Sequence, residues 1–200
     1  MHPLPKSLTI ALASRFTLNQ IAQFHSDAQL AFSHPLPYFF AGSFIFPAAL
    51  RAVTHGRILR QVAESMTPAV VRSFKRHAVR GMSWPAMLPS TSPEDAVEGM
   101  LVFGMLDSQR KALHAFQGSM FDLRRVKVEV ELVGGGVVEC EAGIYVWNRG
   151  EGSLVTTEER EWGIGDLMGS EWFAKVIAGT VEEERLLGLE EVDGTRDVSM

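Results

Sequence analysis

Residues 126–147 restrict the fold most. Val126, Val128, Val130 and Leu132 alternate with Lys127, Glu129 and Glu131. That period of two is the signature of a strand with one face buried and one in water. Gly134-Gly135-Gly136 follows as a turn, and Val137 to Trp147 reads as the returning strand. An antiparallel hairpin of this length cannot stand alone in water, so the chain must supply further strands or helices to cover its apolar face.

Those elements are readable on both sides. Tyr38-Phe39-Phe40-Ala41 is a short strand, Gly42-Ser43 a turn, and Pro47 opens a helix through Leu50 and Val53 that His55-Gly56 stops. Thr67 to Arg80 contains a strand with Phe74 and Val79 directed inward, and Trp84 to Pro89 is irregular or edge-like. Val97 to Phe103 is a strand. Asp107 or Ser108 then caps a helix that keeps Leu113 and Phe116 inside and ends at Gly118. Glu158 to Ala178 is mostly helical, anchored by Trp162, Leu167, Trp172, Phe173 and Ile177. Leu18, Ile21, Ala22 and His25 fall at helical spacing, and Ser33 to Pro37 is a linker. Strands dispersed among helices imply a mixed α+β domain. The expected division is an N-terminal extension over 1–36, one domain over 37–188 and an acidic tail over 189–200.

Composition excludes several classes. At 200 residues, 46% hydrophobic and 22% charged, the chain suits one globular domain. No apolar run reaches the roughly 18–20 residues of a membrane span. The lone cysteine, Cys140, cannot form an internal disulfide, and Arg15 ends the short apolar stretch after Lys6 too early for a secretory signal. A cytoplasmic location is expected. The net charge of −5 is uneven: nine Lys or Arg face two acids before Glu94, and ten face twenty-two from there on. The basic residues are scattered apart from Lys75-Arg76-His77, so no nucleic-acid partner is expected. His2, His25, His34, His55 and His77 lack metal-ligand spacing. Neither a metal nor a cofactor is expected.

Five segments, in order, resemble the gamma-glutamylcyclotransferase family, which includes gamma-glutamylamine cyclotransferases and avirulence-induced-gene-like proteins. They are Tyr38 to Phe44 with Pro47 and Leu50; Arg80-Gly81 with Trp84-Pro85-Ala86; Val97 to Leu101; Leu113 to Gly118 with Phe121 and Val126-Lys127-Val128; and Tyr145-Val146-Trp147. The resemblance implies a small barrel-like mixed sheet with flanking helices and a central cavity. In that family the α-amine of a γ-glutamyl group attacks its own γ-carbonyl and releases 5-oxoproline. Backbone N–H groups of a Gly-Ser loop hold the substrate's carboxylate or oxyanion, and a Glu shuttles the proton.

Gln117 stands at the position of that Glu. An amide donates and accepts hydrogen bonds but takes up no proton near neutrality. Ala41 stands where the family has Tyr, Phe44 for Leu, His114 for Asp, Phe121 for Tyr, and Leu123 for a frequent Arg. By this resemblance the candidate catalytic residues are Gln117, Ser43 and His114. The candidate substrate-binding residues are Ala41, Gly42, Phe44, Trp84, Phe121 and Tyr145. Glu139 and Glu141 share one face of their strand and are candidate substitute bases. The leading expectation is a repurposed pocket that cyclises, isomerises or eliminates on a small-molecule substrate. The alternatives are a non-catalytic binding protein and a true cyclotransferase with a relocated acid. The sequence leaves the oligomeric state open.

Overall fold

The structure is a computed structural model and describes residues 6–23, 36–55, 58–155, 160 and 162–186. Tyr38–Phe40 (β1), Met66–Arg72 (β2), Ala96–Val102 (β5), Phe121–Glu131 (β6) and Val137–Trp147 (β7) close into a five-stranded barrel in the order β1-β5-β2-β6-β7. Every pairing is antiparallel except β1–β7, which is parallel through Tyr38↔Gly143 and Phe39↔Ile144. Phe74–Ala78 (β3) and Pro85–Pro89 (β4) form a separate antiparallel pair. The helices are Lys6–Ala13 (α1), Pro47–Thr54 (α2), Leu59–Glu64 (α3), Asp107–Gln117 (α4), Ile164–Met168 (α5) and Glu171–Leu186 (α6). The mixed α+β reading and the barrel-like sheet hold.

Strand alternation sorts the apolar residues into two cores. Phe39, Leu101, Val128, Val130, Cys140, Ala142 and Ile144 fill the barrel interior. Tyr38, Phe40, Met100, Val102 and Tyr145, their strand neighbours, point outward into a second core roofed by Leu50, Leu113 and Phe173 of α2, α4 and α6. β1 is therefore buried on both faces, which explains its uninterrupted apolar run. The opposite flank of β6 and β7 is in water. It carries cross-strand ion pairs Arg72–Glu129, Lys127–Glu139 and Arg125–Glu141 at 2.7, 2.9 and 3.4 Å. Exposed pairs of this kind contribute about 0–1 kcal/mol each.

Three local expectations are corrected. The span 67–80 is two strands, because Ser73 takes a positive φ of 58° and turns the chain. The 85–89 stretch is a regular strand, with Pro85 and Pro89 at its ends. The N-cap of α4 is Leu106, whose N–H donates to the Gln109 side chain at 2.9 Å, not Asp107 or Ser108. At the N-terminus, Leu8 and Ala11 of α1 join the outer core, Phe16 and Ile21 join the inner one, and Phe16 bridges to Leu132. Residues 18–23 are helical, as their spacing predicts. His25, the 33–35 part of the linker, 158–159, and the tail beyond 186 lie outside the described residues.

β1 and β5 approach closely at Gly99. A Cβ there would lie 2.2 Å from the Phe40 carbonyl oxygen and 2.7 Å from the Phe39 ring. Gly99→Ala should therefore destabilise the fold by about 3 kcal/mol, the upper end of overpacking costs. Gly136→Ala, whose Cβ meets Leu132 at an ordinary 3.8 Å, should stay within about 1 kcal/mol. Urea unfolding of the two variants checks the contrast.

Candidate functional site

β1 runs straight into the Gly42-Ser43 turn, and that turn stands at the mouth of a cavity of about 380 Å³. Gly42 has φ −128° and ψ −137°, so steric space rather than a left-handed backbone selects glycine. A Cβ at 42 would lie 2.9 Å from Pro85 Cδ. The hydrogen bonds of the turn run from Ile45 N–H to the Gly42 carbonyl at 3.1 Å and from Phe46 N–H to the Ser43 carbonyl at 3.2 Å. The leading N–H groups of such a turn are the ones a helix leaves unpaired. The mouth is tied by Arg76, which donates to the Ala41 carbonyl at 3.1 Å and lies over the Trp162 ring. Trp162 in turn donates to the Ser83 carbonyl at 2.8 Å.

Ala41, Gly42, Ser43, Phe44, Trp84, Gln117, Phe121 and Tyr145 all line this one cavity. Gln117 is the last residue of α4. Gly118 ends the helix behind it with a φ of 58°, donating its N–H to the His114 carbonyl. Three polar side chains in the wall, Ser43, Ser83 and Gln117, make no hydrogen bond among the described residues. No polar side-chain atom there is sealed away without a partner either. Their donors and acceptors thus face the cavity space. The rest of the wall is largely apolar and aromatic. Phe44 meets Phe116 edge-to-face at 5.5 Å, Phe116 and Trp172 lie tilted to each other at 6.2 Å, and Trp84 packs on Phe121 at 5.7 Å. Among the described residues, no Asp, Glu, His, Lys or Arg lines it.

Other candidates stand elsewhere. His114 lies one helical turn before Gln117 and does not reach the wall. Its Nδ1 shares a hydrogen bond with the Tyr145 hydroxyl at 2.9 Å, and its Nε2 lies 3.3 Å from the Tyr38 hydroxyl. Glu139 and Glu141 are exposed on the outside of the barrel, paired with Lys127 and Arg125. Leu123, two residues along β6 from Phe121, sits about 7 Å further down the strand and is exposed outside the cavity. Phe116 is half-exposed at the cavity mouth instead of inside the helix packing. The sequence reading missed Ser83, Met87, Met120 and Trp172 as wall residues. Only Trp172 offered a signal, as an apolar anchor, because the others sit in loops or on an edge strand without periodicity.

The model of one protein family, gamma-glutamyl cyclotransferase, AIG2-like, matches residues 39–164. The chain belongs to this family. The AIG2-like protein D of Arabidopsis thaliana is 28% identical over 91 residues, covering 46% of this chain and 57% of that protein. The chain thus spans little more than half the length of this relative. A solution structure from Arabidopsis thaliana is similar at a TM-score of 0.50 and 19% identity, covering 83% of this chain and 96% of that one, which supports the shared fold. A solved structure of a gamma-glutamyl cyclotransferase is similar at a TM-score of 0.43 and 19% identity, over 82% of this chain and 92% of that one. The cyclotransferase-like fold is thereby shown. No helix among the described residues is long and apolar enough to cross a membrane.

The tyrosines beside His114 offer a clean titration, since the chain has only two. Burial pushes the Tyr145 hydroxyl well above its ordinary value, with the neighbouring Tyr38 adding to it. Burial raises Tyr38 as well, against the pull of Arg110. Neither phenol should ionise near pH 10 in the folded protein, and absorbance at alkaline pH reads this directly. The unfolded chain ionises near 10 and the folded one higher. The stability contribution is therefore fully present below about pH 10 and is lost as pH rises through the folded values.

Proposed function

We propose that this cyclotransferase-like cavity is repurposed for a small molecule with a flat apolar body and one carboxylate or carbonyl group. The protein would cyclise, isomerise or eliminate on it by positioning and hydrogen bonding. One observation carries the reading. The Gly42-Ser43 turn and the unpaired amide of Gln117 face the same aromatic-walled cavity, and no carboxylate lines it among the described residues.

In this reading the turn N–H groups and Ser43 bind the anionic or carbonyl oxygen. Gln117 donates from its amide or accepts at its carbonyl, and so orients the reacting group without exchanging a proton. Ala41, where the family resemblance has a tyrosine, leaves room for the ligand's apolar body, and Phe44, Trp84 and Phe121 stack on it. His114 acts only through Tyr145, as a positioning residue. The wall equally fits a second reading, a protein that binds the ligand without converting it. The lining favours that reading, since among the described residues no Asp, Glu or His faces the cavity to accept a proton near neutral pH.

The test has two arms. With γ-glutamyl amines, 5-oxoproline release should not rise above buffer for the wild-type chain, and clear turnover would overturn the reading. Gln117→Glu should also stay inactive. If it gains activity, the cavity is still shaped for a glutamyl group. In the binding arm, 2-naphthoate should quench tryptophan emission saturably. Ala41→Tyr should weaken that binding by about tenfold or more by filling the space. Quenching that Ala41→Tyr leaves untouched would locate the ligand elsewhere.

A further inference from the structure

One ring in the cavity wall, Trp172, takes no part in the chemistry proposed above. It belongs to α6, beyond residues 39–164, the segment that the family model matches. Its place is fixed by the residue beside it. Phe173 is buried and packs on Phe46 with ring centroids 4.6 Å apart. Phe46 in turn closes the Gly42-Ser43 turn, through its N–H to the Ser43 carbonyl. The Phe173 N–H also donates to the Ser170 hydroxyl at 3.2 Å, which secures the start of the helix. Val176 and Ile177 continue the packing on the outer core. α6 is thus docked on the turn that the proposed function uses for the ligand's oxygen. Successive helical residues point about 100° apart. With Phe173 turned into the core, Trp172 is left half-buried against the cavity.

There it meets Phe116 of α4, tilted by 39° at 6.2 Å, and Phe116 meets Phe44 at 5.5 Å. The turn, α4 and α6 therefore each give one ring to the same part of the wall. Phe116 is half-exposed. A large ring left partly in water at a cavity rim still has apolar area to bury. A flat aromatic body laid against Phe116 and Trp172 covers that area and makes the offset or tilted contacts that aromatic rings favour. A saturated cage of similar bulk covers area too, but offers neither ring a flat face.

We propose that Trp172, with Phe116, sets the specificity of the cavity and selects a carboxylate with a flat aromatic body over one of similar bulk without a flat face. This inference rests on the reading of the cavity as a ligand site, and adds which part of the wall chooses the ligand and that α6 supplies it.

The test compares 2-naphthoate with adamantane-1-carboxylate by calorimetry on the full chain. Both carry one carboxylate, so their ratio isolates the body of the ligand. The wild-type chain should bind 2-naphthoate at least about tenfold more tightly. Trp172→Leu keeps apolar bulk and loses the ring. It should narrow that ratio by about threefold to tenfold, the worth of one aromatic contact. Phe116→Leu, at a half-exposed position where folding is little at risk, should narrow it similarly. Trp172→Phe should hold the ratio within about twofold of wild type. Equal affinity of the wild-type chain for both ligands would overturn the proposal. So would equal weakening of both by Trp172→Leu, which would make the indole a filler of space, or an unchanged ratio in both leucine variants. Ala41→Tyr separates the two levels of the argument. If it weakens 2-naphthoate binding while the leucine variants leave the ratio unchanged, the cavity reading stands and this inference fails. If it leaves 2-naphthoate binding untouched, the cavity reading fails and takes this inference with it.

Discussion

Everything in this protein hangs on β1, three residues long and buried on both faces. Tyr38–Phe40 pairs antiparallel with β5 on one side and parallel with β7 on the other, and so closes the barrel. Its neighbour β5 can approach only because Gly99 lacks a side chain where Phe40 offers its carbonyl. A strand this short has few ladder bonds, so its position is held by packing. Phe39 enters the barrel core while Tyr38 and Phe40 face the helices. That two-sided burial also fixes where the chain leaves the strand, and the exit is the Gly42-Ser43 turn. The cavity is thus a direct consequence of barrel closure.

The same geometry explains why two glycines one strand apart do different work. Gly99 makes room for backbone, which is a folding demand. Gly42 makes room for Pro85 of β4, which brings the second small sheet against the mouth of the cavity. Arg76 and Trp162 then clamp that sheet to the Ala41 carbonyl and the Ser83 loop. Fold stability and cavity shape meet at residues 41–43.

Most of the architecture was legible because hydrophobic period carries it. The β6–β7 hairpin, the helix opened by Pro47, and α4 ending at Gly118 all follow from alternation, proline and glycine placement. The misreadings fall where period is silent. Ser73 breaks a strand through a positive φ that no sequence rule assigns to serine. Leu106 caps a helix through the side chain of Gln109, three residues on. Residues 41–44, 84, 117, 121 and 145 were recognisable together only through a family resemblance, and the structure gathers them in one wall. His114 and Leu123 were grouped with them by motif adjacency. A helical turn in one case and two strand residues in the other carry each past the cavity rim.

Gln117 is best weighed by magnitude. General acid–base catalysis supplies about 10²–10⁴-fold, or roughly 3–5 kcal/mol of barrier. Holding a nucleophile and its target in a near-attack geometry can supply about 7–11 kcal/mol. A ring closure within one molecule already tethers nucleophile to target, so a bound pose adds only the freezing of its internal rotations, and a conversion at this site gives up the proton-transfer contribution of a carboxylate. A glutamate at 117 would also face an aromatic wall that disfavours its charged form and raises its pKa. A neutral amide avoids that cost and keeps two hydrogen-bonding ends. Under the proposed function, with the turn donors in place and Ala41 clearing space, glutamine is the residue that would suit a ligand positioned by shape, with its oxygen held at the Gly42-Ser43 turn.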